Sequence, residues 1–140
     1  MTMSVEPLRL LATDMAWEVI HGATPAVQER LMALPPQQVG ISPMTRTELT
    51  FGLLELKRAQ WGQRITEILK TVQTVPWDAA AADKYAELGF EARQSGADPG
   101  DKDVAIAAHA LTAGAVLVTA KPNTFRSIST GLALATWSAQ

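Results

Sequence analysis

Short apolar runs alternate along the chain with longer stretches whose apolar residues recur every three or four positions. Brief continuous runs read as buried strands and the 3.6-residue period as helices. Leu8-Arg9-Leu10-Leu11-Ala12 is the first predicted strand. Thr13 or Asp14 then offers an N-cap for a helix over Met15 to Ile20, which His21-Gly22 ends. Pro25 opens a second helix at an N1-like position and Pro35-Pro36 terminates it. Val39-Gly40-Ile41-Ser42 predicts a short buried strand. A helix is expected from Thr45 to about Gln60, and another from about Gln63 to Val72 with Ile65, Ile68 and Leu69 on one face. Val75-Pro76-Trp77 is a third extended segment, weakened by its proline. Asp78 caps an alanine-rich helix reaching Arg93, and Gly96 to Gly100 reads as a loop. A helix from about Asp101 runs through Ala113, with Gly114 as its C′ residue. Ala115 to Thr119 is the clearest central strand, and a last one lies around Leu132-Ala133-Leu134. The alternation predicts an α/β fold with a mostly parallel sheet. Strand-to-helix junctions fall after residues 11–12, 42, 77 and 118. These are the carboxyl ends of strands, where sites form in open α/β sheets.

Composition narrows the picture. The 140 residues correspond to one domain, 1–140, large enough to bury a core without a staple. With 47% hydrophobic and 19% charged residues, long disorder is excluded. The absence of cysteine removes disulfide frameworks, zinc ribbons and thiol catalysis, and fits a reducing cytoplasm. A net charge of −2 and a pI of about 5.6 exclude a globally basic nucleic-acid binder. Local RNA binding in a metal-focused cleft stays open. No apolar run approaches the ~20 residues of a bilayer span, and Met1 to Arg9 does not read as a signal peptide. The expectation is a soluble cytoplasmic protein with no membrane partner.

The polar groups at the junctions suggest chemistry. Asp14 follows the first strand, Glu48 lies one turn into the helix after the second, and Asp101 and Asp103 open the helix before Ala115–Val118. Acids from distant parts of the chain would converge at one sheet edge. Gathered carboxylates repel one another unless a hard cation binds them. Oxygen-only ligation favours Mg²⁺ or Mn²⁺, and such sites mostly handle phosphate esters. Each acid also has a structural reading. Thr45-Arg46-Thr47-Glu48 fits a capping box. Asp101 and Asp103 suit a helix N-terminus, and Asp14 suits a plain N-cap.

Other polar residues point elsewhere. His109, among alanines, reads as a packed structural histidine, and His21 ends a helix where a cation is mildly favoured. No serine sits in a nucleophile elbow and no glycines form a phosphate loop. Trp17, Trp61, Trp77 and Trp137 read as core or interface anchors that could alternatively stack bases. Met15, Met32 and Met44 read as core filler.

Ser42-Pro43-Met44-Thr45-Arg46-Thr47-Glu48-Leu49, followed by Gly52, resembles the PIN-domain pattern S-x-x-T-x-x-E-L-x-x-G. Gly100-Asp101-Lys102-Asp103-Val104-Ala105-Ile106-Ala107-Ala108-His109-Ala110 resembles that family's G-x-x-D-x-x-I-A-A-H-A segment. Val118-Thr119 with Phe125 resembles its closing T-x-[DN]-x-x-x-F element, and Gly131-Leu132 and Trp137 its tail. The order and spacing cover nearly the whole chain and are most similar to the small VapC-type toxins of toxin–antitoxin pairs. The resemblance implies a three-layer α/β/α sandwich around a parallel sheet and a Mg²⁺- or Mn²⁺-dependent endoribonuclease. It also implies an antitoxin partner, an RNA substrate and a homodimer. Carried over, Glu48 and Asp103 are the catalytic and metal-site acids; Asp14 is not carried over and stays a further candidate ligand only by its place after the first strand.

Two positions depart from the family pattern. The family opens with D-T-N after its first strand, where this chain has Ala12-Thr13-Asp14. A methyl group cannot ligate a cation. Lys121 stands where Asp or Asn is usual, two residues after Thr119. Its ammonium could occupy the cation site and pair with Glu48 or Asp103. The expectation is a toxin-type ribonuclease impaired by Ala12 and Lys121, as a degenerate member or an inactivated variant. The alternative is a catalytically inactive PIN-like module that binds RNA or protein. A plain α/β domain with another ligand leaves the spacing of the acids unexplained.

Overall fold

The computed structural model describes residues 6–22, 25–56, 59–96 and 100–137. The first five residues, part of the expected loop between Gly96 and Gly100, and residues 57–58 of the expected long helix lie outside that set. The strands are β1 (Arg9–Leu11), β2 (Val39–Ile41), β3 (Gln73–Thr74), β4 (Val116–Val118) and β5 (Ala133–Ala135). They form one sheet in the order β3-β2-β1-β4-β5, and every pairing is parallel. The helices are α1 (Thr13–His21), α2 (Pro25–Met32), α3 (Pro43–Leu56), α4 (Ala59–Thr71), α5 (Ala79–Ser95), α6 (Asp101–Ala113) and α7 (Pro122–Ile128).

Side-chain alternation along the strands divides the core into two layers. Leu11, Val39, Ile41 and Val118 face α1 to α4, packing with Met15, Ile20, Leu49, Ile65 and Ile68. Leu10 and Leu117 face the other way, against Leu88 of α5, Ile106 and Ala108 of α6 and Phe125 of α7. The expected three-layer α/β/α arrangement is thus present. Parallel strands covered on both faces explain the continuous apolar runs in β1 and β4.

Several boundaries differ from the sequence reading. The α1 helix begins at Thr13 with Ala12 at the N-cap and no side-chain cap, so neither Thr13 nor Asp14 serves as the cap. The α3 helix begins at Pro43, two residues before Thr45, and Ser42 Oγ accepts the Met44 N–H at 3.2 Å. Proline at N1 and serine before it take the capping role. Thr45 is buried inside the helix, so the capping-box reading of Glu48 falls. The third strand is Gln73–Thr74 rather than Val75–Trp77, because Pro76 has no N–H for a ladder. Val75 still extends the pairing by donating to the Ile41 carbonyl at 2.9 Å. Asp78 caps α5 as expected, its Oδ1 accepting the Ala81 N–H at 2.9 Å. Gly114 takes the expected left-handed C-cap, φ 63°. Met32, expected in the core, is 84% exposed. Among the described residues no helix is long and apolar enough to cross a membrane.

Candidate functional site

Because all strands are parallel, the ends of β1, β2 and β4 open at one sheet edge. A cleft of about 580 Å³ lies there, lined by Asp14 and Trp17 of α1, Glu48 of α3, Asp101, Lys102 and Asp103 of α6, and Lys121 before α7. The three sequence-derived site acids, Glu48, Asp103 and Asp14, are therefore brought to one cavity. Four separate segments supply its walls. Thr13, which also lines the cleft, ties α1 to the buried Thr45 of α3, hydroxyl to hydroxyl at 2.9 Å.

The acids meet different partners. Lys121 Nζ donates to Asp103 Oδ2 at 3.0 Å, and Lys102 Nζ lies 2.9 Å from Glu48 Oε1. The Asp103 carboxylate is 19% exposed and Glu48 26%, while Lys102 is 70% exposed. Of the two pairs, the one at Asp103 is less screened by solvent. Asp14 uses its oxygens inside the protein. Oδ2 accepts the Ala120 N–H at 2.7 Å, and Thr119 Oγ1 lies 3.1 Å from both oxygens.

Ala12 follows β1 as the N-cap of α1 and is 1% exposed, packed in the α5–α7 side of the core, so it gives the cleft no carboxylate. Among the described residues, no three His, Asp or Glu side chains gather where they could hold a metal ion. With Lys121 on Asp103 and Lys102 on Glu48, the residues as they stand do not fit an oxygen-ligated divalent ion, which needs those carboxylates free of a competing cation.

His109 lies apart from the cleft chemistry and packs as expected. It is 2% exposed, its Nε2 is 3.0 Å from the Pro76 carbonyl, and the Trp77 ring meets it edge-on at 5.4 Å. Its Nδ1 is buried without a hydrogen-bond partner. Burial pushes its pKa below the usual histidine value, against smaller opposing effects of the Pro76 carbonyl and Asp78. His21 stacks on Trp17 at 5.6 Å and meets Trp61 edge-on at 4.8 Å, which joins α1 to α4.

Sequence reasoning gave Lys102 no role and read Trp17 as an anchor that could alternatively stack bases, without placing it in the cleft. Lys102 had a signal, a lysine flanked by aspartates at a helix N-terminus. Trp17 had one in hindsight, one turn beyond Asp14 on the same helix face. Nothing local announced the bracket between Asp14 and Thr119, which are 105 residues apart.

No family model matches the chain. Ribonuclease VapC2 of Rickettsia felis is 31% identical over 100 residues, 71% of this chain and 74% of that protein. The structure of VapBC2 from Rickettsia felis bound to a promoter DNA fragment contains a chain with 27% identity and a TM-score of 0.81, covering 94% of this chain and 99% of that one. DNA-bound VapBC from Salmonella typhimurium shares the fold at a TM-score of 0.81, with 23% identity and the same coverage. The likeness in sequence and the five-stranded parallel sheet agree, and the chain belongs to the VapC family of PIN-domain proteins.

Proposed function

We propose that this chain is the toxin-type member of a toxin–antitoxin pair whose ribonuclease centre is impaired. Ala12 carries the reading: the strand end that should supply an acid to the cleft supplies a buried methyl group. Glu48 and Asp103 remain as the acids that would act on RNA, while the Asp14 oxygens are taken up by Thr119 and Ala120. Mg²⁺ or Mn²⁺ dependence, the rule in this reading for an intact centre, is expected only after repair. The decisive experiment is Mn²⁺-dependent RNA cleavage by the purified chain beside an Ala12→Asp, Lys121→Asn double variant. Cleavage by the double variant alone supports the reading. Cleavage by both overturns the impairment.

The partner side rests on kinship. Similar solved structures are VapBC complexes, and we propose an antitoxin partner here as well. A groove of about 470 Å³ between α1, α2 and α4 suits an apolar segment of such a partner. Val19, Leu31, Met32 and Ile68 line it. Phe51 and Leu54, 55% and 65% exposed on α3, suit self-association as a homodimer, which light scattering on the purified chain would show. Lys121 on Asp103 favours a second reading, an inactive RNA- or protein-binding module. RNA binding indifferent to divalent metal, without cleavage by either chain, would favour it.

A further inference from the structure

Asp14 reaches across the sheet end to the segment that follows β4. Its Oδ2 takes the Ala120 N–H at 2.7 Å, and Thr119 Oγ1 donates its single proton to the same carboxylate, 3.1 Å from each oxygen. That hydroxyl also accepts the Lys121 N–H at 3.0 Å. The Thr119 carbonyl accepts the Thr136 hydroxyl at 2.9 Å, and Thr119 is fully buried. Residues 119–121 are therefore held by hydrogen bonds at three consecutive positions. From that fixed backbone the Lys121 side chain runs past the buried Phe125 ring, its Nζ 5.9 Å from the ring centroid, and ends on Asp103 at 3.0 Å.

We infer that Lys121 is a built-in counter-ion of the cleft, aimed at Asp103 by the Asp14 bracket, and that it keeps divalent cations off the acids. This rests on the reading that the ribonuclease centre is impaired. An ammonium is a compact point charge with three donors, suited to sit where a small cation would. A divalent ion bound to Asp103 would lie about 2–2.5 Å from its oxygens. It would then crowd the ammonium already on Oδ2, and like charges at that range repel strongly. Asp14 is in this account a positioning residue and not a ligand.

The two roles of Asp14 give opposite signs, which makes them separable. The full-length chain is titrated with MnCl₂ alone, read by paramagnetic broadening of cleft amide resonances and by calorimetry. The wild type is expected to show no selective broadening of the cleft amides at millimolar Mn²⁺. Lys121→Met, which keeps the stem and removes the charge, is expected to bind Mn²⁺ at least about tenfold more tightly. Asp14→Asn is expected to strengthen binding as well, because Lys121 loses its anchor, even though one carboxylate has gone. Selective broadening in the wild type, or weaker binding by Asp14→Asn, would overturn the inference. Selective broadening in the wild type overturns the inference even if a variant does not fold. RNA cleavage enters neither readout. A chain that excludes Mn²⁺ yet cuts RNA sinks the proposed impairment only, and one that binds Mn²⁺ without cutting sinks only the counter-ion.

Discussion

Helix α6 holds two unlike regions within 13 residues. Its first turn, Asp101 to Asp103, is charged and faces the cleft. The next seven residues, Val104 to Ala110, are all buried. Alanine at positions 105, 107, 108 and 110 keeps that stretch thin, so it lies close against the sheet and α5. The buried region fixes where the helix stands, and the first turn uses that fixed position to present Asp103. The difference teaches which substitutions should cost folding and which should alter only the cleft.

The largest expected effect is in the buried region. Ile106→Ala should destabilise by about 2–5 kcal/mol in denaturant unfolding, since Ile106 is 1% exposed and its removal leaves a cavity. A loss below about 1 kcal/mol would mean the helix can shift to close the gap, and the contrast would blur. Ala108→Leu should cost about 1–3 kcal/mol by overpacking against Leu117 and Leu10.

A pH dependence sharpens the same comparison. His109 has a folded pKa below the unfolded value of 6.5, so the unfolded chain takes up a proton first. Its contribution to stability is whole above the unfolded pKa. It falls away as pH drops from there towards the folded pKa. Melting temperature should therefore decline on going from pH 7.5 to 5.5, and His109→Gln should flatten that slope. An unchanged slope in the variant would move the cause elsewhere.

The first turn should respond weakly. Asp103→Asn removes one partner of a partly exposed pair and should shift stability by about 1 kcal/mol or less. Lys102→Ala, with a side chain 70% exposed, should move it by under about 0.5 kcal/mol. Either variant losing several kcal/mol in chemical denaturation would show that the charged turn carries the fold after all.

The sequence patterns located most strands to within a residue or two, because parallel strands buried on both faces leave unbroken apolar runs. β3 was displaced because its two residues, Gln73 and Thr74, carry no such run and the apolar signal lies in Val75 and Trp77. The short α7 escaped notice, since Pro122 hides a helix start in what reads as a turn. Thr45 was misread as a cap because threonine and glutamate matched a motif whose true start, Ser42-Pro43, lay three residues earlier. Of the site, the meeting of Glu48, Asp103 and Asp14 was legible from the rule that parallel strands end together. A pairing of Lys121 with Glu48 or Asp103 was legible too, and the structure takes Asp103, whereas the Lys102–Glu48 pair was not foreseen. The backbone that carries Lys121 is held by the bracket at Thr119, a contact that no local spacing encodes.

The sheet order has a consequence for synthesis. Of the described strands, the first made, β1, ends up central, with β2 on one side and β4 on the other. A nascent chain can form the β1–β2 half early, but one edge of β1 stays bare until Val116–Val118 leave the ribosome. Thr119 and Lys121 emerge directly after them. The last strand to complete the interior thus delivers the residues that finish the cleft, and a truncated product that lacks them has neither a closed sheet nor the lysine that pairs with Asp103.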